Sequence, residues 1–403
     1  MKRRDVIKGL GLLPVGGLAG GLDAFAGTGS PMAAPKRDLF KELGVRTFIN
    51  ATGTLTYMTG SLMHDYVLDA INYGADQFCM LDELQDKVGE RIAKMVHSES
   101  AVVTSGAFSA MTLGLAGILT GMDQKKVEAL PHIAGTGMKS EVICQKAHDI
   151  VYNHAFINTG CKIVAIETVE ELERAINEKT ALMHFLNISQ GGKISQEEWV
   201  ALGKKHGIPT SIDIAADVPP VSNLWKFNDM GFDMVQISGG KAIRGPQSAG
   251  LLMGRKSIIQ AARLHMPPRG FNIGRGMKVN KEEILGMYVA LEQYIARDHD
   301  KEWKQWEKSI ALIEAAAKSV KDVETKIWVP QGGNITPNLS ISWEKSGKTP
   351  EGKDLQERLR NGSPSIEVGG GKKGINVTAW MLKPGEDKIV ARRIKEELQS
   401  LLA

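Results

Sequence analysis

Short apolar segments alternate with helical patterns over residues 50–264, and this alternation constrains the fold of the 403-residue chain more than any other feature. It is typical of an α/β domain in which helices connect the strands of a largely parallel sheet. The predicted strands are residues 162–166, 181–186, 209–215, 232–238 and 248–253. Two pairs that fit a capping box, Thr168 with Glu171 and Ser195 with Glu198, predict helices between these strands. Ligands of such sheets bind beyond the carboxyl ends of the strands, so polar residues at those ends are the candidates for a site.

The pattern changes after residue 282. Residues 282–319 are rich in Leu, Ala, Glu and Lys and predict a long helix that breaks near Asp298. Predicted strands at 338–343, 365–368 and 375–380, with helices near 355–359 and at 386–402, then indicate a small α+β domain. The Gly- and Lys-rich segment 369–374 predicts a hairpin tip rather than a phosphate loop, because no helix follows it. We therefore expect a large α/β domain over residues 30–285, and a connecting helix with a small C-terminal domain over residues 286–403.

The first 29 residues have the pattern of a twin-arginine export signal. Arg3 and Arg4 precede a weakly apolar, glycine-rich stretch at residues 9–22, and Ala24-Phe25-Ala26 forms an A-x-A cleavage pattern. Because this route exports folded proteins, typically with their cofactors bound, the pattern predicts a periplasmic protein. The alternative is a cytosolic protein with a basic first segment. The apolar stretch is too short for a stable transmembrane helix, so we expect no stable insertion into a membrane.

The charge balance does not favour a nucleic-acid partner. The chain has 50 Lys and Arg residues against 46 Asp and Glu residues. Two units of this surplus of four lie within residues 1–26, so the rest of the chain is close to neutral. Binding to nucleic acid depends mainly on phosphate neutralisation by a concentrated basic surface. The scattered Cys and His residues have no metal-ligand spacing, so a dedicated metal site is not predicted either.

An apolar strand that ends in Ser238-Gly239-Gly240 delivers Lys241 into a tight turn. A lysine that forms a Schiff base needs a fixed position at a strand end, partial desolvation that lowers its pKa, and room for a cofactor beside the backbone. The rival interpretation is a Walker A phosphate loop. That motif requires Ser or Thr directly after the lysine, where this chain has Ala242. The pattern therefore predicts a lysine that binds pyridoxal 5'-phosphate (PLP), with Ser238 placed to reach the phosphate group.

Two further segments are placed to hold such a cofactor. Asp213 lies near the end of the preceding strand, where a carboxylate can pair with the protonated pyridine nitrogen. Asp217 is the rival carboxylate, and we expect it to face the following turn. Ser105, Gly106 and Ala107 connect a strand to the start of a helix, which offers backbone N–H groups and the helix dipole to a phosphate. A simple Ser N-cap is the alternative for this loop.

Five other polar residues are candidates for contacts with the ring or the substrate. Gln145, His148 and Tyr152 fall near a strand end, where a flat side chain could stack on the pyridine ring; we assign His148 to the cofactor and the other two to the substrate. Arg275 and Lys278 follow a Pro- and Gly-rich segment and are candidates for a substrate carboxylate or phosphate, either within one subunit or across an interface. The alternatives are packed side chains for the first three and a solvated basic loop for the last two.

Several motifs of the chain resemble one superfamily. They are DIAA at residues 213–216, FD at 232–233, SGGKAIRGPQSAGLL at 238–252, NATGT at 50–54, TSGA at 104–107, IGRGMKV at 273–279 and GSPSIE at 362–367. This set resembles the selenocysteine synthase (L-seryl-tRNA selenium transferase) superfamily, and within it the D-glucosaminate-6-phosphate ammonia-lyase-like branch. The resemblance covers residues 40–403 and implies the aspartate-aminotransferase fold (PLP fold type I), with Lys241 as the Schiff-base lysine.

The resemblance also bears on the reaction. Bacterial selenocysteine synthases carry an additional N-terminal domain that helps to bind tRNA, and only about two dozen residues separate the predicted signal from Asn50 here. We therefore expect a homodimer or larger homo-oligomer that acts on a small amino acid or amino sugar acid through a Cα carbanion, most readily a β-eliminating ammonia lyase. The alternatives are a racemase or aminotransferase, a selenium transferase that acts on seryl-tRNA, and a non-catalytic PLP-binding protein.

Overall fold

The computed structural model describes residues 37–189 and 191–403, so the predicted export signal lies outside the described residues. The chain divides into two compact units, one up to Thr47 and one from Phe48 to Ala403. In the described part of the first unit, helix α1 (Leu39–Glu42) begins after Asp38, whose side chain accepts a hydrogen bond from the Lys41 N–H. All other elements belong to the second unit.

The second unit contains a seven-stranded sheet. Its strands are β2 (Ser100–Thr104), β3 (Glu141–Gln145), β4 (Lys162–Ile166), β5 (Thr180–Leu186), β6 (Thr210–Asp213), β7 (Met234–Ser238) and β8 (Gly250–Gly254). They lie in the order β2-β8-β7-β6-β5-β3-β4. The strands from β7 to β4 pair in parallel, whereas β8 runs antiparallel to both of its neighbours. The prediction of a mostly parallel α/β sheet is therefore confirmed.

Helices cover both faces of this sheet. Those before β8 are α2 (Asp65–Ala75), α3 (Leu81–Met95), α4 (Ala107–Thr120), α5 (Gln124–Ala129), α6 (His154–Ile157), α7 (Val169–Ala175), α8 (Gln196–His206) and α9 (Asn223–Met230), and those after it are α10 (Lys256–Arg263) and α11 (Lys281–Ala296). Helix α12 (His299–Lys318) follows α11 and leads to the second sheet. Successive side chains of β2 enter different apolar clusters: Val103 faces one and Val102 the other, as expected for a sheet buried on both faces. None of the helices within the described residues has both the length and the apolar character of a membrane span.

Local sequence signals explain several helix boundaries. The Thr168 side chain accepts a hydrogen bond from the Glu171 N–H, as the predicted box requires, while the Glu171 carboxylate accepts from the Glu167 N–H instead of from Thr168. Ser195 caps α8 in the same way, and that helix ends at Gly207 in the left-handed conformation (φ 62°). The predicted break in the long helix is the residue that caps α12, Asp298. Short polar side chains at these positions stabilise the otherwise unpaired N–H groups of a first turn.

A second sheet of five strands lies in the same unit. Its strands are β1 (Ile49–Ala51), β9 (Glu324–Trp328), β10 (Asn338–Ser342), β11 (Ile366–Gly371) and β12 (Gly374–Thr378), in the order β1-β11-β12-β10-β9. Helices α12, α13 (Gly352–Asn361) and α14 (Glu386–Leu402) pack on it around Trp343. Strands β11 and β12 form the predicted hairpin. Residues 49–51 fall within the range predicted for the large domain, but they form β1, which pairs in parallel with β11 at the edge of this second sheet.

Candidate active site

Lys241 lies in a tight turn directly after β7. The Gly239 N–H donates to the Ala249 carbonyl (2.8 Å) and the Gly245 N–H donates to the Gly239 carbonyl (2.9 Å), which folds the turn back on itself. A Cβ atom on Gly240 would lie 2.6 Å from the Cα of Gln247, so this position requires glycine. Burial lowers the pKa of Lys241, and two nearby carboxylates oppose that shift. The turn therefore holds a lysine whose neutral, nucleophilic form is favoured by desolvation.

Asp213 is the last residue of β6 and is only 5% exposed. Its Oδ1 atom accepts a hydrogen bond from the Ala215 N–H (2.7 Å). Burial raises the pKa of Asp213, whereas the Ala215 N–H and the charge of Lys241 lower it. A buried carboxylate of this kind gains stability from a cation placed beside it, and a protonated pyridine nitrogen is such a cation.

The N-terminus of α4 faces the same space. Gly106 precedes the helix with φ 89°, and no side chain among the described residues caps it. The first N–H groups of the helix are therefore available to an anion, which the helix dipole also attracts. The strand β8 approaches closely: a Cβ atom on Gly250 would lie 2.6 Å from the Gly106 carbonyl carbon and 2.7 Å from the Ala107 nitrogen.

These groups surround one cavity of about 310 Å³. Its lining contains Lys241 and Asp213, Gly106 just before α4, the α4 residues Ala107, Phe108 and Met111, and Thr56, Ile150, Tyr152, Leu186, Ile188, Ala215, Ala216, Asp217 and Ser238. A primary amine, a carboxylate and a helix N-terminus on one cavity fit the aldehyde, pyridine nitrogen and phosphate of PLP. Phe108 and Ile150 are apolar side chains on this lining that the sequence analysis missed. The available signal was their position in the chain, next to the predicted loop and near Tyr152.

The structure places the predicted site residues unevenly. Tyr152 lines the cavity and is 55% exposed. The Ser105 hydroxyl instead donates to the Ser109 Oγ (3.0 Å) and lies outside the lining. Arg275 and Lys278 are exposed and also lie outside it. Their proposed contact with a substrate therefore has no support within one chain.

Gln145 and His148 need a clearer correction, because both are buried beside the sheet and not at the cavity. The Gln145 amide both donates to the Ile194 carbonyl (2.9 Å) and accepts from the Ile194 N–H (2.8 Å), so its polar atoms hold the backbone after β5. His148 is fully buried, its Nδ1 accepts from the Leu186 N–H (3.3 Å), and its ring packs edge-on against Phe185. Burial lowers the pKa of His148 to about 4, so it is neutral at physiological pH. Neither position is in contact with the predicted ring site.

Asp217 is the site residue that the sequence placed wrongly. Its side chain lines the cavity instead of facing the turn, and it is only 2% exposed. The Gly333 N–H donates to its Oδ1 (3.1 Å), and the Asn187 side chain is a further hydrogen-bond partner. Burial, followed by the negative charge of Asp213, raises the pKa of Asp217 to about 7.

The fold and the cavity define a class of protein. A mostly parallel sheet with a lysine turn after β7, an aspartate at the end of β6 and a bare helix N-terminus after β2 is the arrangement of PLP-dependent enzymes of fold type I, and PLP is the cofactor of this protein. Residues 83–273 match the model of the family described as aminotransferase class-V.

Individual proteins are similar to this chain over different shares of its length. The D-glucosaminate-6-phosphate ammonia lyase of Salmonella typhimurium is 26% identical over 376 residues, which are 89% of this chain and 97% of that protein. The 5'-C-glycyluridine monooxygenase-decarboxylase of a Streptomyces species is 25% identical over 89% of this chain and 92% of that protein. An L-seryl-tRNA(Sec) selenium transferase of Mannheimia succiniciproducens is 30% identical, but over only 38% of each chain. A solved structure of D-glucosaminate-6-phosphate ammonia-lyase has a TM-score of 0.79 at 25% identity and covers 92% of this chain and 100% of that chain.

Proposed function

We propose that the protein is a PLP-dependent lyase that removes a β-substituent and ammonia from a small amino acid or amino sugar acid. The observation that carries this proposal is the cavity that Lys241 and Asp213 share with the N-terminus of α4. Similarity to an ammonia lyase over nearly the whole length of both proteins supports the choice of lyase among PLP reactions.

Each polar residue of the cavity has a separate role in this reaction. When bound, PLP withdraws electrons from the Cα atom of an attached amino acid and so acidifies its hydrogen. Lys241 would hold the cofactor, and its amine, once it is free of the cofactor, would take the Cα proton of the substrate. Asp213 keeps the pyridine nitrogen protonated, and the N–H groups of Gly106 and Ala107 hold the phosphate, with the Ser238 hydroxyl beside them. Tyr152 and Thr56 line the cavity and are exposed, so we place the entry of the substrate beside them.

A racemase or aminotransferase remains the nearest alternative, because both need the same lysine and aspartate. The products separate the three reactions: a lyase releases ammonia and a 2-oxo acid, a racemase inverts Cα, and an aminotransferase transfers nitrogen to a second acid. Seryl-tRNA is not proposed as a substrate, since the charge of the chain is nearly balanced.

The experiment is an absorbance and product assay on the purified protein with D-glucosaminate 6-phosphate and both enantiomers of serine. We expect a yellow protein whose colour borohydride bleaches, with the reduced cofactor found on Lys241 by mass spectrometry, and release of ammonia together with a 2-oxo acid. Lys241→Ala is the control and should release neither. Label on another lysine, or racemisation without ammonia, would contradict the proposal.

We also propose that the protein works as a homo-oligomer. Large apolar side chains are exposed on the second unit, namely Phe78 (104%), Phe271 (87%), Tyr57 (83%), Met80 (73%) and Tyr73 (70%). Monomers rarely leave so many large apolar side chains in water, and such surfaces are often subunit interfaces. Light scattering should give a mass of at least two chains, and a monomer at micromolar concentration would contradict this.

Export by the twin-arginine route is a proposal of its own. It depends on Arg3 and Arg4, and on the cleavage pattern that follows. Replacement of both arginines by lysine should leave the protein uncleaved, in the cytoplasm and loaded with PLP. Unchanged periplasmic levels in a fractionation experiment would refute it.

A further inference from the structure

The cavity contains one carboxyl group more than the binding of PLP requires. Asp213 and Asp217 both line it together with Lys241. Asp213 lies at the carboxyl end of β6 and is the carboxylate assigned to the ring nitrogen of PLP. Binding of that nitrogen therefore does not account for Asp217. Asp217 is even less exposed than Asp213, at 2% against 5%. A buried acidic side chain without a cation of its own is costly, and such groups are more often found where chemistry uses them.

The structure holds the Asp217 carboxyl in place from several sides. Its Oδ1 accepts the Gly333 N–H (3.1 Å), and the Asn187 side chain contributes a second hydrogen bond. Its backbone carbonyl accepts from the Asn223 Nδ2 (2.7 Å), and the Asn334 N–H donates to the neighbouring Ala216 carbonyl. The carboxyl therefore has a fixed position on the cavity wall and does not depend on solvent for it.

The environment also sets the protonation state of this carboxyl. Burial and the negative charge of Asp213 raise its pKa to about 7, against the opposing effects of Asn187, Gly333 and Lys241. Asp217 therefore carries its proton in a large part of the molecules near neutral pH. Some active sites contain two carboxyl groups whose environments give them different pKa values. One is then ionised and stabilises a positive charge, while the other keeps its proton and donates it.

We propose that Asp217 is the general acid of the elimination and gives its proton to the oxygen of a hydroxyl group that leaves Cβ. This inference rests on the proposed lyase function and names the substrate class as β-hydroxy amino acids. The Lys241 amine takes the proton from Cα, the Cβ–O bond breaks with both electrons on oxygen, and the Asp217 proton completes a water molecule. Lys241 then bears the extra proton and Asp217 is ionised, and transfer of that proton between them, directly or through water, restores both groups. Hydrolysis of the resulting enamine gives the 2-oxo acid and ammonia.

Two other assignments compete with this one. The ammonium form of Lys241 is a rival donor, since it has just received a proton. In the second alternative, Asp217 only anchors the loop around Gly333 and donates no proton. Asp217→Asn separates these roles, because the amide keeps an Oδ1 acceptor for the Gly333 N–H while it removes the proton. A chloride leaving group separates them further, because it departs without needing a proton.

The test compares β-hydroxy with β-chloro substrates on the holoenzyme. D-Glucosaminate 6-phosphate and both enantiomers of serine are the β-hydroxy probes, and both enantiomers of β-chloroalanine are the β-chloro probes. Asp217→Asn should reduce kcat for ammonia release from the β-hydroxy probe by about 100-fold or more, and for the β-chloro probe by no more than about threefold. Exchange of the Cα hydrogen in D₂O, followed by NMR, should persist in the variant. Asp229→Asn, which changes a half-exposed carboxylate paired with His97, is the matched control and should change neither rate.

Each outcome decides one claim. Equal activity of Asp217→Asn and wild type on both probes would assign the donor role to Lys241, and an equal loss on both probes would leave Asp217 as an anchor; either result overturns this inference and leaves the lyase function standing. Wild-type activity on β-chloroalanine alone would also overturn it, since the enzyme would then not expel hydroxyl. Wild-type inactivity on all probes, in a protein that binds PLP on Lys241, would refute the lyase function itself.

Discussion

Gly250→Ala tests the contact between β8 and the start of α4. The added Cβ would lie 2.6 Å from the Gly106 carbonyl carbon, 2.7 Å from the Ala107 nitrogen and 2.8 Å from the Ile237 oxygen. All three are backbone atoms, so no side-chain rotation relieves the overlap, and the helix N-terminus must move. Overpacking of this kind costs about 1–3 kcal/mol. If that strain is released by displacing the phosphate-binding N–H groups, the Kd for PLP should rise roughly 5- to 150-fold, at about 1.4 kcal/mol per tenfold change.

The assay is a titration of PLP into the PLP-free protein, followed by absorbance and by thermal unfolding with and without PLP. Gly276→Ala is the matched control, because nothing lies within 4 Å of its added Cβ. It should bind PLP like the wild type. If Gly250→Ala folds and binds PLP as tightly as the wild type, the N-terminus of α4 does not hold the phosphate. If it loses thermal stability without PLP by as much as with PLP, the strain remains in the core and the reasoning is equally wrong.

Three further expectations follow from the carboxyl groups. Asp213→Asn should keep the fold and part of the PLP but lose most turnover. If the pKa of the pyridine nitrogen falls by two units, kcat should fall by about 100-fold or more. An unchanged kcat would show that another group keeps the ring protonated. With a β-hydroxy substrate, kcat should fall as pH rises through about 7, because Asp217 loses the proton it must donate, and Asp217→Asn should lack this limb in a pH–rate profile. In the PLP-free protein, the raised pKa of Asp217 contributes to the free energy of unfolding fully at pH values below 3.8, the ordinary pKa of an aspartate, and this contribution is lost as the pH rises to about 7. The free energy of unfolding of Asp217→Asn, measured with urea over this pH range, should therefore decline less.

Residue patterns predicted the strands of the large sheet well, because a parallel sheet buried on both faces reads as short apolar runs. The strand at residues 162–166 was predicted with both of its ends, and the expected positions of Asp213 at a strand end and of Lys241 after one are those of the structure. Capping side chains act over three residues, so Ser195 and Asp298 marked helix starts correctly. These features depend on local chemistry, which a single sequence contains.

Features that depend on distant contacts were missed. Strand β1 joins the second sheet only because residues 366–368 offer it an edge, more than 300 positions later in the chain. Gln145 was expected at the substrate and His148 at the ring because both fall near a strand end, but the Gln145 amide pairs with the backbone of Ile194 and the His148 Nδ1 accepts the Leu186 N–H instead. A polar side chain near a strand end has the same sequence pattern whether it faces a ligand or pairs with the backbone.

Asp217 was considered from the sequence as a rival to Asp213, but the direction predicted for its side chain was wrong. The strand ends at Asp213, and the next four residues form a turn that closes with the Asp217 N–H donating to the Ile214 carbonyl (3.1 Å). Alternation along a strand therefore no longer decides which way residue 217 points. The direction comes from Gly333, 116 residues further on, whose N–H binds the carboxyl and whose left-handed backbone (φ 60°) brings it there. The positive φ favours glycine at this position, and a Cβ there would also lie 2.2 Å from the Ile188 side chain, which would have to move. A loop of the second sheet thus helps to set the position of a carboxyl group that lines the cavity beside the first sheet.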